Sequence, residues 1–174
     1  MQKVMITGAG GFLGRHLCKM LESDGYEVVR FYHGGLDILP EAKALRLTWM
    51  CQPYDAEHPH QDYVSNMLSA KAEGRQMKSS ALEHRGVTDV RTVCGNLVGI
   101  FGRLPGGVYN FGAGNLNDSY TTMLHLAAVA GYPEENVIKD TSWGRNLAMD
   151  CSKIAAFGIA FPATEDSVSG CLVL

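Results

Sequence analysis

The sequence predicts an α/β chain built on a parallel sheet, and three observations carry that prediction. It opens with a β-branched and apolar run, Lys3-Val-Met-Ile-Thr7, that passes straight into a glycine cluster. Beyond the glycines, Leu13, Leu17, Met20 and Leu21 recur at helical spacing, Glu22-Ser-Asp-Gly25 supplies a helix stop, and Tyr26–Tyr32 reads as a second strand. A strand, helix, strand order implies a parallel pair with a right-handed crossover. Finally, the 20 glycines exceed average usage and fall mostly at turns, as many short connections require.

Composition narrows the function classes. With 174 residues, 46% hydrophobic and 19% charged, the chain can bury a real core as one domain, or one domain with a small lobe. Its formal charge of −3 comes with no block of like charge, so neither nucleic acid nor a membrane surface is an expected partner. No apolar run approaches the ~18 residues of a membrane helix. Cys18, Cys51, Cys94, Cys151 and Cys171 are scattered without a CxxC pair, and only His16 stands near one of them, so no metal site is expected. The odd cysteine count, and an N-terminus that enters a strand directly, predict reduced thiols and a cytoplasmic location.

The turn Thr7-Gly-Ala-Gly-Gly-Phe-Leu-Gly14 is the most specific feature. Gly8 permits a sharp turn off the strand, Gly11 lets backbone approach a pyrophosphate at the helix N-terminus, and Gly14 lets helix and strand pack closely. Following a strand and opening an amphipathic helix, it reads as a dinucleotide-binding turn, with a merely structural turn as the alternative. The chain is therefore expected to hold an NAD(P)-binding Rossmann-type parallel sheet.

The same turn resembles the TGxxGxxG turn of the extended short-chain dehydrogenase/reductase superfamily. That resemblance implies a nicotinamide dinucleotide held by Gly8, Gly11, Phe12, Leu13 and Gly14. Selection between cofactors occurs where the second strand ends, by an acid for a 2′-hydroxyl or a base for a 2′-phosphate. Arg30 stands there, with His33 beyond and no acid before Asp37, so NADPH is favoured over NADH; the alternative is that Arg30 is an ordinary solvated charge. Gly35-Leu-Asp-Ile-Leu-Pro-Glu-Ala42 resembles the superfamily's Leu-Asp-Ile segment, which implies adenine-side contacts for Asp37 and Ile38. Read without the resemblance, it is a strand end and a helix start at Pro40.

Further along, Thr48-Trp49-Met50 is expected to open an irregular loop reaching His60. A helix from about Gln61 sets Tyr63, Val64, Met67, Leu68 and Lys71 on one face and stops at Gly74. A short strand is expected over 76–79. Asp89 reads as the cap of a helix facing Val90, Val93, Cys94, Leu97 and Ile100 or Phe101 inward. After the turn Leu104-Pro-Gly-Gly107 come a strand, Val108–Phe111, and a helix capped by Asn117-Asp-Ser119, with Leu124, Leu126, Ala127 and Val129 on its apolar side and Gly131 as its stop.

This half is similar to the C-terminal part of the dTDP-4-dehydrorhamnose reductase family. The resemblance rests on Leu104–Gly112, the helix after Ser119, Gly144-Arg-Asn-Leu-Ala-Met-Asp-Cys-Ser-Lys-Ile154 with Gly158-Ile159, and Thr48-Trp49-Met50. It implies a small C-terminal α/β substrate lobe, a nucleotide-sugar substrate, and substrate contacts from Trp49 and Arg145. For Trp49 the alternative is a plug of the lobe; for Arg145 it is a surface pair with Asp150 or Asp140. The expected division is a βαβ dinucleotide-binding part over 1–45 and the substrate-lobe part over 46–174. Against the family pattern the Rossmann sheet is incomplete, shortened near Lys43 to Arg46, where the catalytic Ser/Thr and Tyr-x-x-x-Lys segment would stand.

The tyrosines bear this out at the level of sequence. Four residues after Tyr26, Tyr32, Tyr54, Tyr63, Tyr109, Tyr120 and Tyr132 stand Arg30, Leu36, His58, Met67, Ala113, Leu124 and Asn136. None is the Lys that would lower the tyrosine's pKa for proton delivery, so no catalytic residue is assigned. Tyr26 with Arg30 falls on a strand, where residues four apart do not meet as on a helix. His58 and His60 read as loop residues, and Ser79, Ser80 and His84 lack a nucleophile-elbow setting. Three functions stay open: a reductase of the 4-keto-sugar type, impaired by the missing segment; a noncatalytic NAD(P)-binding regulatory module; and a truncated product that folds poorly. The oligomeric state is left open.

Overall fold

The computed structural model describes residues 3–31, 43–55, 60–100 and 103–172. They form eight strands, six helices and a 3-10 turn, with strands paired two by two. Two compact units result: described residues within Met1–Ala44 and Val90–Val108, and those within Leu45–Asp89 and Tyr109–Leu174.

In the first unit β1 (Lys3–Thr7) lies parallel to β2 (Glu27–Phe31), from Lys3 opposite Glu27 to Thr7 opposite Phe31, with α1 (Phe12–Ser23) as crossover. Gly14, Leu17, Cys18 and Leu21 are the buried stripe of α1. That stripe packs against α3 (Val90–Ile100), which buries Val90, Val93, Cys94, Leu97 and Ile100, the set its periodicity predicts.

In the second unit β4 (Trp49–Cys51) pairs in parallel with β6 (Val87–Asp89), and β5 (Met77–Arg85) with β8 (Val137–Leu147). Helix α2 (Tyr63–Glu73) starts where the Asp62 carboxylate accepts the Ser65 N–H and stops at left-handed Gly74. Helix α4 (Ser119–Ala130) repeats the device with Asp118 and Gly131. Together with α6 (Thr164–Gly170) they bury Val64, Met67, Leu126, Val168 and Cys171 in one core with Cys51 and Val87. Two further strands, β3 (Lys43–Leu47) and β7 (Gly107–Phe111), pair with each other, and α5 (Ser152–Ala155) is a single turn.

Several elements differ from expectation. The segment expected to open a loop at Thr48 instead forms β4, a strand too short to display alternation and defined by its pairing with β6. The strand expected over 76–79 extends to Arg85, because its second half buries Glu83 and Arg85 as a charge pair rather than as apolar residues. Asp89 stands directly ahead of α3, where its cap is expected, and is at the same time the last residue of β6, so strand passes into helix without a loop. Helix α4 turns Met123, Leu126 and Ala127 inward and leaves Val129 51% exposed; a helix apolar nearly all round does not fix its own facing. Lys71, placed on the inner face of α2, is exposed, and its Nζ donates to the Ala130 carbonyl at 2.6 Å. Strand β8 went unrecognised because residues 141–147 are exposed and mixed in character.

Candidate functional site

The turn between β1 and α1 is built by backbone constraints that only glycine meets. Gly8 has φ +67°, and its carbonyl accepts the Gly11 N–H at 2.9 Å, closing the turn. A Cβ on Gly14 would stand 2.2 Å from the Gly8 carbonyl oxygen and 2.8 Å from the Ala9 Cα. Gly11 is the N-cap, extended at φ −75°, ψ 172°, and no side chain caps the helix. No acidic residue lies in the first turn of α1, so no side-chain carboxylate there competes with an anion for the positive dipole end. Phe12 and Leu13 are half-buried at this end, and the Phe12 ring meets His16 edge-on with the Arg15 guanidinium 5.5 Å from its centroid.

Arg30, near the end of β2, pairs with Glu22 of α1 at 2.6 Å, both side chains 41% exposed. Such a pair contributes at most about 1 kcal/mol, so it exchanges readily for a stronger anion. Asp37 and Ile38 lie outside the described residues.

The second unit holds a cavity of about 360 Å³. Arg46, Thr48, Trp49, Arg85, Asn110 and Met149 are among its walls. Beside it, the almost fully buried Glu83 carboxylate gathers three donors: Arg85 Nη2 and Arg145 Nε (2.8 Å) on Oε1, and Ser119 Oγ (2.9 Å) on Oε2. Burial pushes the Glu83 carboxyl up, but the bonds from Arg145, Ser119 and Arg85 outweigh it and hold the group below its usual range. Tyr63 Oη donates to Ser119 Oγ at 3.1 Å.

The Arg85 guanidinium lies 3.8 Å from the centroid of Trp49, whose ring meets Tyr63 edge-on, and the buried Arg85 Nε has no hydrogen-bond partner. Trp49 is 52% exposed, on the cavity wall. Arg145 is half-exposed and bonds Glu83; Asp140 instead takes the Ser142 N–H and hydroxyl and Lys78, and Asp150 takes the Ser152 N–H.

This arrangement offers two guanidinium groups, Arg46 and Arg85, an aromatic face and an amide around a cavity within the usual size range for small-molecule sites. These are groups suited to binding an anionic or aromatic ligand. Burial pushes the Tyr63 hydroxyl up, with Ser119 opposing only part of that shift. Among the described residues no group of three or more His, Cys, Asp or Glu side chains could hold a metal ion, and no helix is long and apolar enough to cross a membrane.

Sequence reasoning missed Glu83, Arg85, Tyr63 and Ser119. The available signal was Glu83 and Arg85 at i and i+2, opposite charges on one face of a strand.

The fold is a Rossmann-type α/β fold with parallel sheets. Residues 4–44 match the NAD dependent epimerase/dehydratase family, and curated protein sequences give no match. Among solved structures, dTDP-4-dehydrorhamnose reductase from Bacillus anthracis in complex with NADP is similar at a TM-score of 0.77 and 12% identity, covering 98% of this chain and 97% of that one. UDP-glucose 4-epimerase from Thermotoga maritima with UDP-glucose is similar at 0.76 and 11%, covering 97% and 96%. dTDP-glucose 4,6-dehydratase from Bacillus anthracis in complex with NAD follows at 0.74 and 11%, covering 97% and 94%.

Proposed function

We propose that this chain binds a nicotinamide dinucleotide, NADPH in preference to NADH, at the Gly8–Gly14 turn. We further propose that it retains the binding elements of a nucleotide-sugar 4-ketoreductase while turning over poorly. The observation that carries the reading is the close approach of Gly14 to Gly8 beneath a helix end without side-chain cap or acidic residue, a cradle for a pyrophosphate. Gly8, Gly11 and Gly14 shape it, Phe12 and Leu13 flank it, and Arg30 meets a 2′-phosphate by giving up Glu22. When bound, the cofactor supplies the hydride.

For a nucleotide sugar, the Trp49 face, Arg46 and Arg85 offer stacking and charge, with Arg145 held close through Glu83. Asp37 and Ile38 remain proposed adenine contacts, and 1–45 and 46–174 the proposed cofactor and substrate parts. The odd count of five cysteines, with no CxxC pair, supports a reducing, cytoplasmic setting.

The noncatalytic module is the second reading, favoured by one observation: no tyrosine has a lysine four residues on, so the alkoxide formed by hydride delivery lacks its usual proton donor. Titration with NADPH followed by an absorbance assay with a nucleotide 4-keto sugar tests both. Binding with slow turnover supports the reductase, binding without turnover the module, and neither the truncated product.

A further inference from the structure

Cys51 closes β4 and Cys171 follows α6, 120 positions later, yet their sulfurs stand 3.1 Å apart with both residues fully buried. Cys51 Sγ also faces the Ser167 carbonyl at 3.6 Å, so α6 meets the strand through this corner. A disulfide needs about 2.05 Å, which leaves roughly 1 Å to close. Around the pair lie Val64, Met67, Val87 and Val168, with α6 packed on β6 and α4. Sulfurs from elements so distant in sequence reach this separation only because the second unit packs its last helix onto the β4–β6 pair.

We propose that Cys51 and Cys171 are a redox pair whose two-electron oxidation ties the C-terminal helix α6 to β4. With a glutathione disulfide as oxidant, one cysteine gives up its proton and its sulfur displaces a glutathione thiolate, leaving a mixed disulfide. The second cysteine then loses its proton, attacks the protein sulfur and releases the other glutathione. The protein loses two hydrogens, and the oxidant becomes two glutathione thiols.

Burial controls the rate. The Cys171 thiol, burial, and the Asp89 and Asp62 carboxylates all push the Cys51 thiol up, so Cys51 carries little thiolate in the closed core, and both sulfurs are shut away from solvent. Exchange therefore waits for α6 to open, and the oxidised bond then holds it shut. The link closes a loop of 120 positions, at the long end of those for which cross-linking restricts the unfolded chain most. A rise in melting temperature of roughly 5–15 °C is expected for the unit it spans.

The test equilibrates the whole chain in glutathione buffers from reducing to oxidising, traps free thiols with N-ethylmaleimide and maps unreduced peptides by mass. The expected product is a Cys51–Cys171 peptide pair, two hydrogens lighter than its separate halves, that accumulates as the melting temperature rises. Cys51→Ser and Cys171→Ser each abolish both; Cys51→Ala and Cys171→Ala serve where the hydroxyl prevents folding. Cys18, Cys94 and Cys151 are internal controls. Full alkylation of Cys51 and Cys171 at the oxidising end, pairing of either with another cysteine, or a cross-link without a melting shift would each overturn the proposal.

Discussion

Replacing Gly14 by alanine places one methyl group against backbone with no room to yield. The new Cβ would lie 2.2 Å from the Gly8 carbonyl oxygen, 2.8 Å from the Ala9 Cα and 2.9 Å from the Gly8 carbonyl carbon. Ordinary contacts begin near 3.4 Å, so α1 must shift by about 1 Å relative to the turn. Overpacking of this kind costs about 2–3 kcal/mol, offset by about 1 kcal/mol of helix propensity, a net loss of about 1–2 kcal/mol. Gly95→Ala, on the exposed face of α3 with nothing within 4 Å of its Cβ, supplies the opposite sign, a gain of about 0.5–1 kcal/mol. Thermal melts followed by circular dichroism should show Gly14→Ala lowered by roughly 2–8 °C and Gly95→Ala raised by roughly 1–4 °C. Dinucleotide affinity should fall at least about tenfold in Gly14→Ala, because a 1 Å misplacement of the helix end spoils its donor geometry. A Gly14→Ala protein as stable as the parent would refute the close approach of helix and turn.

Three further outcomes are expected. The Glu83 carboxyl is held below its ordinary value of 4.5, so its contribution to stability is present in full above that pH and is lost as pH falls through the folded value; urea unfolding at successive pH values should show the loss begin below about 4.5, and Glu83→Gln should flatten it. Asp62→Ala removes an acceptor from the buried Ser65 and Gln52 N–H groups, and should cost about 1.5–3 kcal/mol by urea unfolding, against about 1 kcal/mol for the more exposed cap Asp118→Ala. A nucleoside diphosphate entering the cavity should change the fluorescence of Trp49 but not that of Trp143, so Trp49→Phe should abolish the change; an undiminished signal in that variant would place the ligand elsewhere.

The parts of the molecule legible in the sequence are those whose reasons are local. Gly8 and Gly14 answer backbone demands that no other residue meets, and the stripes of α1 and α3 follow from their own periodicity. Gly74 and Gly131 end their helices in the left-handed conformation that favours glycine. The cavity wall was less legible, because its organiser is a tertiary event. Glu83 recruits Arg145 from 62 positions away and Ser119 from 36, and nothing beside Glu83 announces either. Trp49 was singled out through resemblance alone, whereas its cation partner Arg85 emerged only with the register that sets Arg85 opposite Leu147. The Cys51 and Cys171 contact is likewise a product of packing, since each cysteine stands alone in the sequence.

Isothermal titration of the whole chain with NADPH and, separately, NADH tests the central claim most directly, once circular dichroism has shown a cooperative melt. Saturable binding of a dinucleotide, tighter for NADPH and weakened by Gly14→Ala, is the predicted result. A cooperatively folded chain that binds neither would contradict the account and reduce the glycine turn to a structural connection.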